Sequence, residues 1–185
     1  MFAPVRDAME WSRKATPRRL RNAAGLWTSY QRAKRSSDPR IGGLPFSISF
    51  EPTTACNLRC PECPSGLRSF TRPTGNLKQD LFARVMDELG DDLWALTFYF
   101  QGEPYINPNF LDMVSLASRK GLYTNTSTNA HFLTEEKAEA TVRSGLSRLI
   151  ISLDGTDQST YSAYRREGEL AKVIEGAERI VKWKK

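Results

Sequence analysis

All three cysteines of this 185-residue chain lie in one short stretch, at Cys56, Cys60 and Cys63. The stretch follows residues 46–51, whose composition is typical of a β-strand. Thiolates are ligands for soft metal centres, and iron–sulfur clusters are usually held by four of them. A cluster held by only three thiolates keeps one iron open to a further ligand. The spacing therefore predicts a soft metal centre, for which an iron–sulfur cluster is one candidate, with an open position at which a ligand can bind and react.

The alternative is a structural zinc site in an interaction module without catalytic activity. Structural zinc takes four ligands, and beside its three cysteines the chain has a single histidine, His131. His131 follows the third predicted strand, so its side chain would have to reach across to the cysteines.

The elements that position these residues alternate between strand and helix after residue 45. Apolar and β-branched runs predict strands, and apolar spacing of three and four predicts helices. The strands are expected at 46–51, 93–100, 123–129 and 149–153, and the helices at 78–89, 108–120, 134–144, 158–166 and 170–184. Such alternation predicts βαβ units with a parallel sheet, which places the chain in the α/β class. With only about four strands, the last one is expected to present an open edge and exposed apolar surface.

Polar residues follow each predicted strand, at 56–63, 101–104, 128–129 and 152–155. Ligands of parallel α/β sheets bind at the carboxyl ends of the strands, which share one rim. We therefore expect these four segments to form a single site. Trp94, Phe98 and Phe100 are expected in the core behind it.

Composition is that of an ordinary globular protein, with 39% hydrophobic and 26% charged residues. No run approaches the ~18 apolar residues that span a bilayer. An odd number of clustered cysteines argues against a disulfide framework and favours a reducing compartment, so a cytoplasmic location is expected.

The net charge of +6 is concentrated at the amino terminus. Residues 1–40 carry ten Lys or Arg and three Asp or Glu, a balance of +7, whereas the remaining residues carry 17 and 18. No nucleic-acid partner is therefore expected for the core. We expect residues 1–40 to form a basic helical extension and linker, divided at Pro17, and residues 41–185 to form the core. The linker is expected at 36–39 and 42–45.

A basic amphipathic helix is expected at about residues 18–35. Three interpretations stay open for it. The helix packs against its own domain, makes peripheral contact with an anionic membrane surface, or docks on a partner.

Taken together, four motifs in order resemble the radical SAM superfamily from about residue 46 to the carboxyl terminus. The first is the cysteine spacing. Gly102-Glu103-Pro104 resembles the Gly-Gly-Glu-Pro motif, and Thr128-Asn129-Ala130 resembles a Thr-Asn-Gly motif. The fourth, residues 152–155 followed by Tyr161 and Arg165, resembles members that modify peptides and carry a C-terminal SPASM-type domain with extra clusters.

This resemblance implies a partial parallel (βα) barrel, here truncated to about four βα units and incomplete at the carboxyl terminus. It implies a [4Fe–4S] cluster on Cys56, Cys60 and Cys63, and S-adenosylmethionine as second cofactor. It also implies oxidoreductase chemistry: reductive cleavage to a 5′-deoxyadenosyl radical, which abstracts hydrogen from an unidentified substrate, peptidic or anionic. A flavodoxin- or ferredoxin-type protein is the implied electron donor.

The resemblance also implies residue roles in binding S-adenosylmethionine. Glu103 accepts a hydrogen bond from the methionine amino group, and Gly102 allows close backbone approach. Arg165 pairs with the methionine carboxylate. Ser152 contacts the ribose or methionine moiety, and the remaining expected rim residues, without an assigned role, are Pro104, Asn129 and Asp154.

Three positions depart from the family pattern: Glu62 replaces a residue that is often aromatic, and Gln101 and Ala130 replace glycines. Gln101 is expected to stiffen its loop or to add a hydrogen-bond donor. Arg68 and Arg72 form a basic stretch beside the cysteines, which either binds an acidic group of the substrate or is simply solvated.

Overall fold

The structure is a computed structural model that describes residues 3–36 and 39–185. The linker predicted at 36–39 falls largely outside these ranges, because Ser37 and Asp38 are not among the described residues. The segment predicted as linker at 42–45 is irregular and joins the second helix to the first strand.

Four parallel strands form one sheet in the order β1-β2-β3-β4. Their bounds are Ser47–Ser49 for β1, Ala95–Thr97 for β2, Tyr123–Thr128 for β3 and Arg148–Ile151 for β4. Ile48 lies opposite Leu96, which in turn lies opposite Thr124. The predicted α/β class and parallel sheet are therefore confirmed.

Eight α-helices occur among the described residues. They are α1 (Ala3–Arg13), α2 (Pro17–Ser36), α3 (Pro64–Leu67), α4 (Gln79–Leu89), α5 (Phe110–Arg119), α6 (Glu135–Arg143), α7 (Gln158–Tyr164) and α8 (Leu170–Trp183). A short 3-10 helix spans Pro104–Ile106. The start of α6 follows from its sequence, because the Thr134 hydroxyl accepts the Lys137 N–H and two acids occupy the first turn.

The core lies between the sheet and the helices that pack on it. Phe98 is fully buried and packs edge-on against Phe110 and at a tilt against Phe82. The prediction that Phe100 lies in this core is wrong, since 76% of its surface is exposed. The reason is that β2 ends at Thr97, so the chain has already left the sheet when it reaches Phe100.

The strand β4 lies at an edge of the sheet. Between it and α8 runs a groove of about 390 Å³, lined largely by apolar side chains. Leu153, Ile174 and Val181 each leave about half of their surface exposed there. An edge strand beside apolar surface is a place where a further strand and helix can add to a sheet.

Helices α1 and α2 lie across the amino-terminal ends of the strands. The Trp11 ring of α1 stacks on Phe46 and contacts Trp94 and Tyr123, with centroid separations between 5.4 and 6.3 Å. The backbone oxygen of Trp11 also accepts the indole N–H of Trp94 at 2.9 Å. Aromatic packing of this kind joins the extension to the sheet. No helix among the described residues has the length and hydrophobicity needed to cross a membrane.

Arg19 of α2 is buried, and its guanidinium joins the extension to the core. It donates to the backbone oxygens of Lys14, Lys120 and Gly121 at 2.7 to 2.9 Å. The carbonyls of Lys120 and Gly121 lie at the end of α5 and that of Lys14 at the end of α1, where carbonyls have no helical partner of their own. One of the three interpretations of α2, packing against its own domain, therefore describes its inner face.

Replacing Arg19 by alanine is expected to lower the free energy of unfolding by about 2–4 kcal/mol, because three charge-assisted hydrogen bonds are lost and buried carbonyls are left without donors. Urea denaturation measures the change. Arg21→Ala, on an exposed position of the same helix, is the control and should change stability by less than about 0.5 kcal/mol. Equal stabilities of the two variants would contradict this role for Arg19.

Candidate functional site

The cysteine loop leaves the carboxyl end of β1 and ends in α3. All three thiols are free; Cys60 is buried, and Cys56 and Cys63 are half-buried. Cys63 precedes α3, where Pro64 occupies the first helical position, and its N–H donates to the backbone oxygen of Cys60 at 3.3 Å. The turn therefore holds the second and third thiols on one short segment.

Polar N–H groups point at two of the sulfur atoms. The Leu58 N–H and the Asn129 amide approach Cys56 Sγ at 3.4 and 3.9 Å. Arg165 Nη1 lies 3.7 Å from Cys60 Sγ. Such donors stabilise thiolate ligands and tune iron–sulfur centres. The donor set therefore fits a thiolate-ligated cluster.

Burial raises the pKa values of the Cys56 and Cys60 thiols. For Cys60 the nearby Arg165 guanidinium opposes this effect. The thiolate is the metal ligand, so both groups must lose a proton when metal binds. Metal loading should accordingly be favoured as pH rises.

Glu103 is buried behind the cysteine loop, with 2% of its surface exposed. Its carboxylate accepts the Thr128 hydroxyl at 2.7 Å, the Asn129 N–H at 2.8 Å and the Tyr105 N–H at 3.4 Å. Burial nevertheless raises the pKa of Glu103 to about 6, although these hydrogen bonds oppose the shift. A bound cation would stabilise this buried carboxylate in its ionised form.

Gly102 lets the segment that follows β2 pack closely against the cysteine loop. Its φ is +76°, and an added Cβ would lie 2.1 Å from the backbone oxygen of Thr53. The next residue continues the contact, because the Glu103 N–H donates to the backbone oxygen of Ala55 at 2.8 Å. Only glycine adopts this conformation at so close an approach without strain.

The Gln101 side chain adds a hydrogen-bond acceptor to the site, whereas the two predicted roles were a stiffer loop or an added donor. Its Oε1 accepts from the Cys63 thiol at 3.4 Å and from the Ser65 hydroxyl at 3.3 Å. The Ser65 oxygen in turn accepts the Gly102 N–H at 2.9 Å. The residue that replaces a family glycine therefore links two strand-end segments.

The other two positions that depart from the family pattern, Ala130 and Glu62, differ in their surroundings. Ala130 is buried with φ of +64°, a conformation that suits the glycine found there in the family motif. Glu62 is exposed, between the second and third cysteines.

Asn129 and Ser152 lie on the same rim. The Asn129 amide donates to Asn57 Oδ1 at 2.8 Å, which ties the end of β3 to the cysteine loop. The Ser152 hydroxyl is 3.1 Å from that of Ser127. Both residues keep polar atoms at the carboxyl ends of neighbouring strands.

Arg165 lies beside the cysteines but is already paired. Its Nε donates to Asp154 Oδ2 at 2.5 Å, in an ion pair that is partly exposed on the Asp154 side. This pair fixes the guanidinium while its Nη1 faces Cys60.

One cavity of about 160 Å³ collects most of these residues. The predicted residues that line it are Cys56, Cys60, Cys63, Gly102, Glu103, Asn129, Ser152 and Arg165. Pro104 and Asp154 do not line it: the first begins the 3-10 helix, and the second bonds Arg165 from outside. Thr128, which was predicted at the rim, also lines it, as does Phe100, which was predicted in the core. The lining residues that the sequence did not single out are Leu58, Ser65, Gly66, Tyr99 and Ser127. The alternation of β3, which points Ser127 and Thr128 to opposite faces, gave no sign that Ser127 would reach this cavity together with Thr128.

A second cavity, of about 330 Å³, adjoins the cysteine loop and shares Cys56 with the first. Arg68, Phe70 and Arg72 contribute to its lining. Arg72 is paired with Glu51 at 2.7 Å and lies over the Phe70 ring, so its charge is partly neutralised. Arg68 is exposed at the entrance and has a left-handed backbone conformation.

The histidine that a zinc site would require is engaged elsewhere. His131 Nε2 accepts the Glu169 N–H at 2.9 Å, and Nδ1 lies 2.9 Å from the Asn129 backbone oxygen. Within residues 3–36 and 39–185, no three His, Cys, Asp or Glu side chains are grouped as ligands of a single metal ion.

Comparison with known proteins gives a family match over most of the chain. The model of the radical SAM superfamily matches residues 50–182. A PqqA peptide cyclase of Bradyrhizobium diazoefficiens is 31% identical over 147 residues, covering 75% of this chain and 38% of that protein. An AdoMet-dependent heme synthase of Methanosarcina barkeri is 29% identical over 135 residues, covering 72% of this chain and 38% of that protein. The chain spans little more than a third of the length of these curated relatives.

Solved structures agree on the fold. Native anSMEcpe with bound AdoMet superposes with a TM-score of 0.62 at 21% identity, covering 76% of this chain and 42% of that chain. BtrN in complex with AdoMet and 2-DOIA gives a TM-score of 0.55 at 23% identity, covering 71% and 55%.

Proposed function

Because the chain belongs to the radical SAM superfamily, we propose that it holds a [4Fe–4S] cluster and S-adenosylmethionine at the carboxyl ends of its four strands. Members of this superfamily use both cofactors, and similar solved structures contain AdoMet. The observation that supports the proposal is the convergence of three free thiols and a buried carboxylate on one cavity.

When bound, the cluster supplies the electron that splits S-adenosylmethionine and so yields the 5′-deoxyadenosyl radical that abstracts hydrogen from the substrate. The protein supplies ligation, orientation and exclusion of water. Cys56, Cys60 and Cys63 would hold the cluster as thiolate ligands, which would leave one coordination position for S-adenosylmethionine.

Glu103 accepts a hydrogen bond from the methionine amino group of S-adenosylmethionine. A buried carboxylate that has only neutral donors around it is stabilised by a further donor on a cationic ligand of this kind. Thr128 and the backbone of Asn129 fix the carboxylate, so it needs little reorganisation when the ligand binds.

The remaining rim residues orient S-adenosylmethionine. Ser152 contacts its ribose or methionine moiety, and Asn129 holds the cysteine loop against β3. Arg165 pairs with the methionine carboxylate through the part of its guanidinium that Asp154 does not occupy. Asp154 therefore positions Arg165 instead of contacting the ligand.

We assign a peptide as the class of substrate. Relatives by sequence include PqqA peptide cyclases, and one similar structure is anSMEcpe with bound AdoMet and Cp18Cys peptide. The basic cavity with Arg68 suits an acidic group of such a peptide. A flavodoxin- or ferredoxin-type donor delivers the electron, in a reducing compartment such as the cytoplasm.

Affinity for S-adenosylmethionine should depend on pH through Glu103. With a pKa of about 6, the carboxylate is mostly protonated at pH 5.5 and ionised at pH 7.5. The ionised form is the stronger acceptor for the methionine amino group, so binding should weaken about fourfold as pH falls across this interval. Equilibrium dialysis of the reconstituted protein with labelled S-adenosylmethionine measures this.

Glu103→Gln should bind more weakly and lose the pH dependence, provided that thermal melting shows it folded. Glu62→Gln, an exposed carboxylate in the adjoining loop, is the matched control and should behave like the parent protein. A pH dependence that persists in Glu103→Gln would show that another group is responsible.

Anaerobic loading of the metal site tests the proposal against the zinc module. The purified chain is given iron and sulfide or, separately, zinc, and metal and sulfide contents are measured together with the visible absorption. The proposal expects iron and sulfide in equal amounts and the brown colour of a thiolate-ligated cluster. Retention of one tightly bound zinc without uptake of iron would favour the interaction module instead.

A further inference from the structure

The outward face of α2 carries the largest apolar side chains of that helix. Leu20, Trp27 and Tyr30 have 54%, 63% and 56% of their surfaces exposed. The inner face instead meets the core with polar groups: Arg19 bonds backbone oxygens, and Asn22 bonds the backbone of Leu44. A surface helix normally points its apolar side inward. Here Leu26 is half-buried and lies beside Gly43, but Leu20 and both aromatic side chains of the helix are exposed on the outside.

Positive charge flanks this apolar face. In the part of the chain that the structure describes, no acidic side chain lies within ion-pair distance of Arg32, Lys34 or Arg35. Lys34 Nζ lies 5.7 Å from the centre of the Tyr30 ring, which itself packs 6.4 Å from the Trp27 ring. By contrast, Arg18 of the same helix is paired with Asp92.

Next to this face, a groove of about 630 Å³ separates α2 from residues 40–42. Its lining includes Thr28, Ser29, Arg32 and Arg35, together with the exposed side chain of Ile41. The Thr28 and Ser29 hydroxyls already donate to backbone oxygens of the helix. The guanidinium groups of Arg32 and Arg35 therefore offer the donors for a phosphate, and Ile41 offers apolar contact for the chain attached to it.

We propose that the outward face of α2 docks on the surface of an anionic phospholipid bilayer. Helices that lie in the membrane interface combine basic residues with Trp and Leu on the buried side. Trp and Tyr favour the headgroup region, and Lys and Arg reach anionic lipids from it. At 20 residues, α2 offers about 30 Å of length to such a surface.

Charge disfavours a second copy of the chain as the occupant of this face. Two such faces brought together would oppose Arg32, Lys34 and Arg35 of both copies in a partly desolvated contact. An anionic lipid surface neutralises the same three residues. Each of them should raise the affinity of the chain for that surface about fivefold.

The docking face lies at the end of the sheet opposite the thiols. Arg19 of α2 contacts Gly90, Lys120 and Gly121, which precede β2 and β3, whereas the cysteine loop follows β1 at the other end. A chain docked through α2 therefore keeps its open rim directed away from the lipid. The inference does not rest on the proposed function.

Vesicle cosedimentation of the purified chain tests the inference. Vesicles of phosphatidylcholine with phosphatidylglycerol should bind the chain, whereas phosphatidylcholine alone should not. Arg32→Ala/Arg35→Ala should weaken binding about 25-fold, and Leu20→Ala about fivefold. The matched controls, Arg84→Ala/Lys172→Ala on α4 and α8 and Leu81→Ala on α4, should leave binding unchanged.

Tryptophan emission gives a second readout. Brominated lipid should quench the chain's fluorescence, and Trp27→Phe should remove most of this quenching, because Trp11 and Trp94 stack on each other and Trp183 packs on α8 beside Glu135, whereas Trp27 is exposed on the docking face. The inference is overturned if anionic and neutral vesicles bind alike, or if the control variants lose as much affinity as the α2 variants. It is also overturned if no vesicle binds and the α2 variants instead abolish self-association in sedimentation velocity.

Discussion

Cys60→Ala is expected to reduce the affinity of the chain for an iron–sulfur cluster by more than about 100-fold. Replacing a residue that only supports a metal ligand already costs 10–100-fold in affinity, and Cys60 is proposed as a ligand itself. The thiol is buried, and the other two cysteines of the chain are themselves proposed as ligands, so no spare thiol can replace it. Iron and sulfide contents after anaerobic reconstitution measure the loss.

The matched control for this prediction is Glu62→Ala. Glu62 lies in the same loop between the second and third cysteines, and it is exposed. It should load as much iron as the parent chain. The assignment of Cys60 as a ligand would be contradicted if Cys60→Ala kept its cluster content and its far-ultraviolet circular dichroism were unchanged.

Gly102→Ala is expected to lower the free energy of unfolding by about 3 kcal/mol and to remove binding of S-adenosylmethionine. A left-handed backbone costs a residue with a Cβ about 1–2 kcal/mol. The new methyl group would also lie 2.1 Å from the Thr53 oxygen and 2.8 Å from that of Ala55, so the backbone of the cysteine loop must move. Displacing that loop separates Glu103 from the thiols.

Gly75→Ala is the control for Gly102→Ala. No heavy atom lies within 4 Å of a Cβ added to Gly75. This variant should therefore unfold within about 0.5 kcal/mol of the parent chain. Urea denaturation and equilibrium dialysis of both variants provide the measurements. A Gly102→Ala protein as stable as Gly75→Ala would show that the loop accommodates the methyl group.

The sheet and the cysteine loop could be predicted because their determinants are local. The strands were predicted from apolar or β-branched runs that end in polar residues, and parallel order follows from the helices between strands. The three cysteines are adjacent in sequence, so their convergence needs only a turn. The family resemblance was predicted on the same residues and is confirmed by the match over residues 50–182.

Long-range contacts could not be predicted in the same way. Glu103 depends on Thr128 and on the backbone of Asn129, about 25 residues later, and its raised pKa follows from this burial. Whether Gln101 donates or accepts was decided by Ser65 and Cys63 across the rim. These partners meet only once the sheet has formed.

Side-chain orientation was the other source of difference. Phe100 has the composition of a core residue but lies beyond the end of β2, where it is exposed and lines the cavity. In α2 the apolar periodicity was recognised, but the sequence did not show that Arg19 rather than Leu20 faces the core. A buried arginine is stabilised there only because the ends of α4 and α5 offer backbone oxygens.

Reductive cleavage of S-adenosylmethionine tests the central proposal most directly. The reconstituted chain is incubated anaerobically with S-adenosylmethionine and dithionite, and the products are quantified by liquid chromatography with mass spectrometry. We expect 5′-deoxyadenosine and methionine to form together in the parent chain and to be absent in Cys60→Ala. A parent chain that loads a cluster yet forms no more 5′-deoxyadenosine than Cys60→Ala would contradict the account.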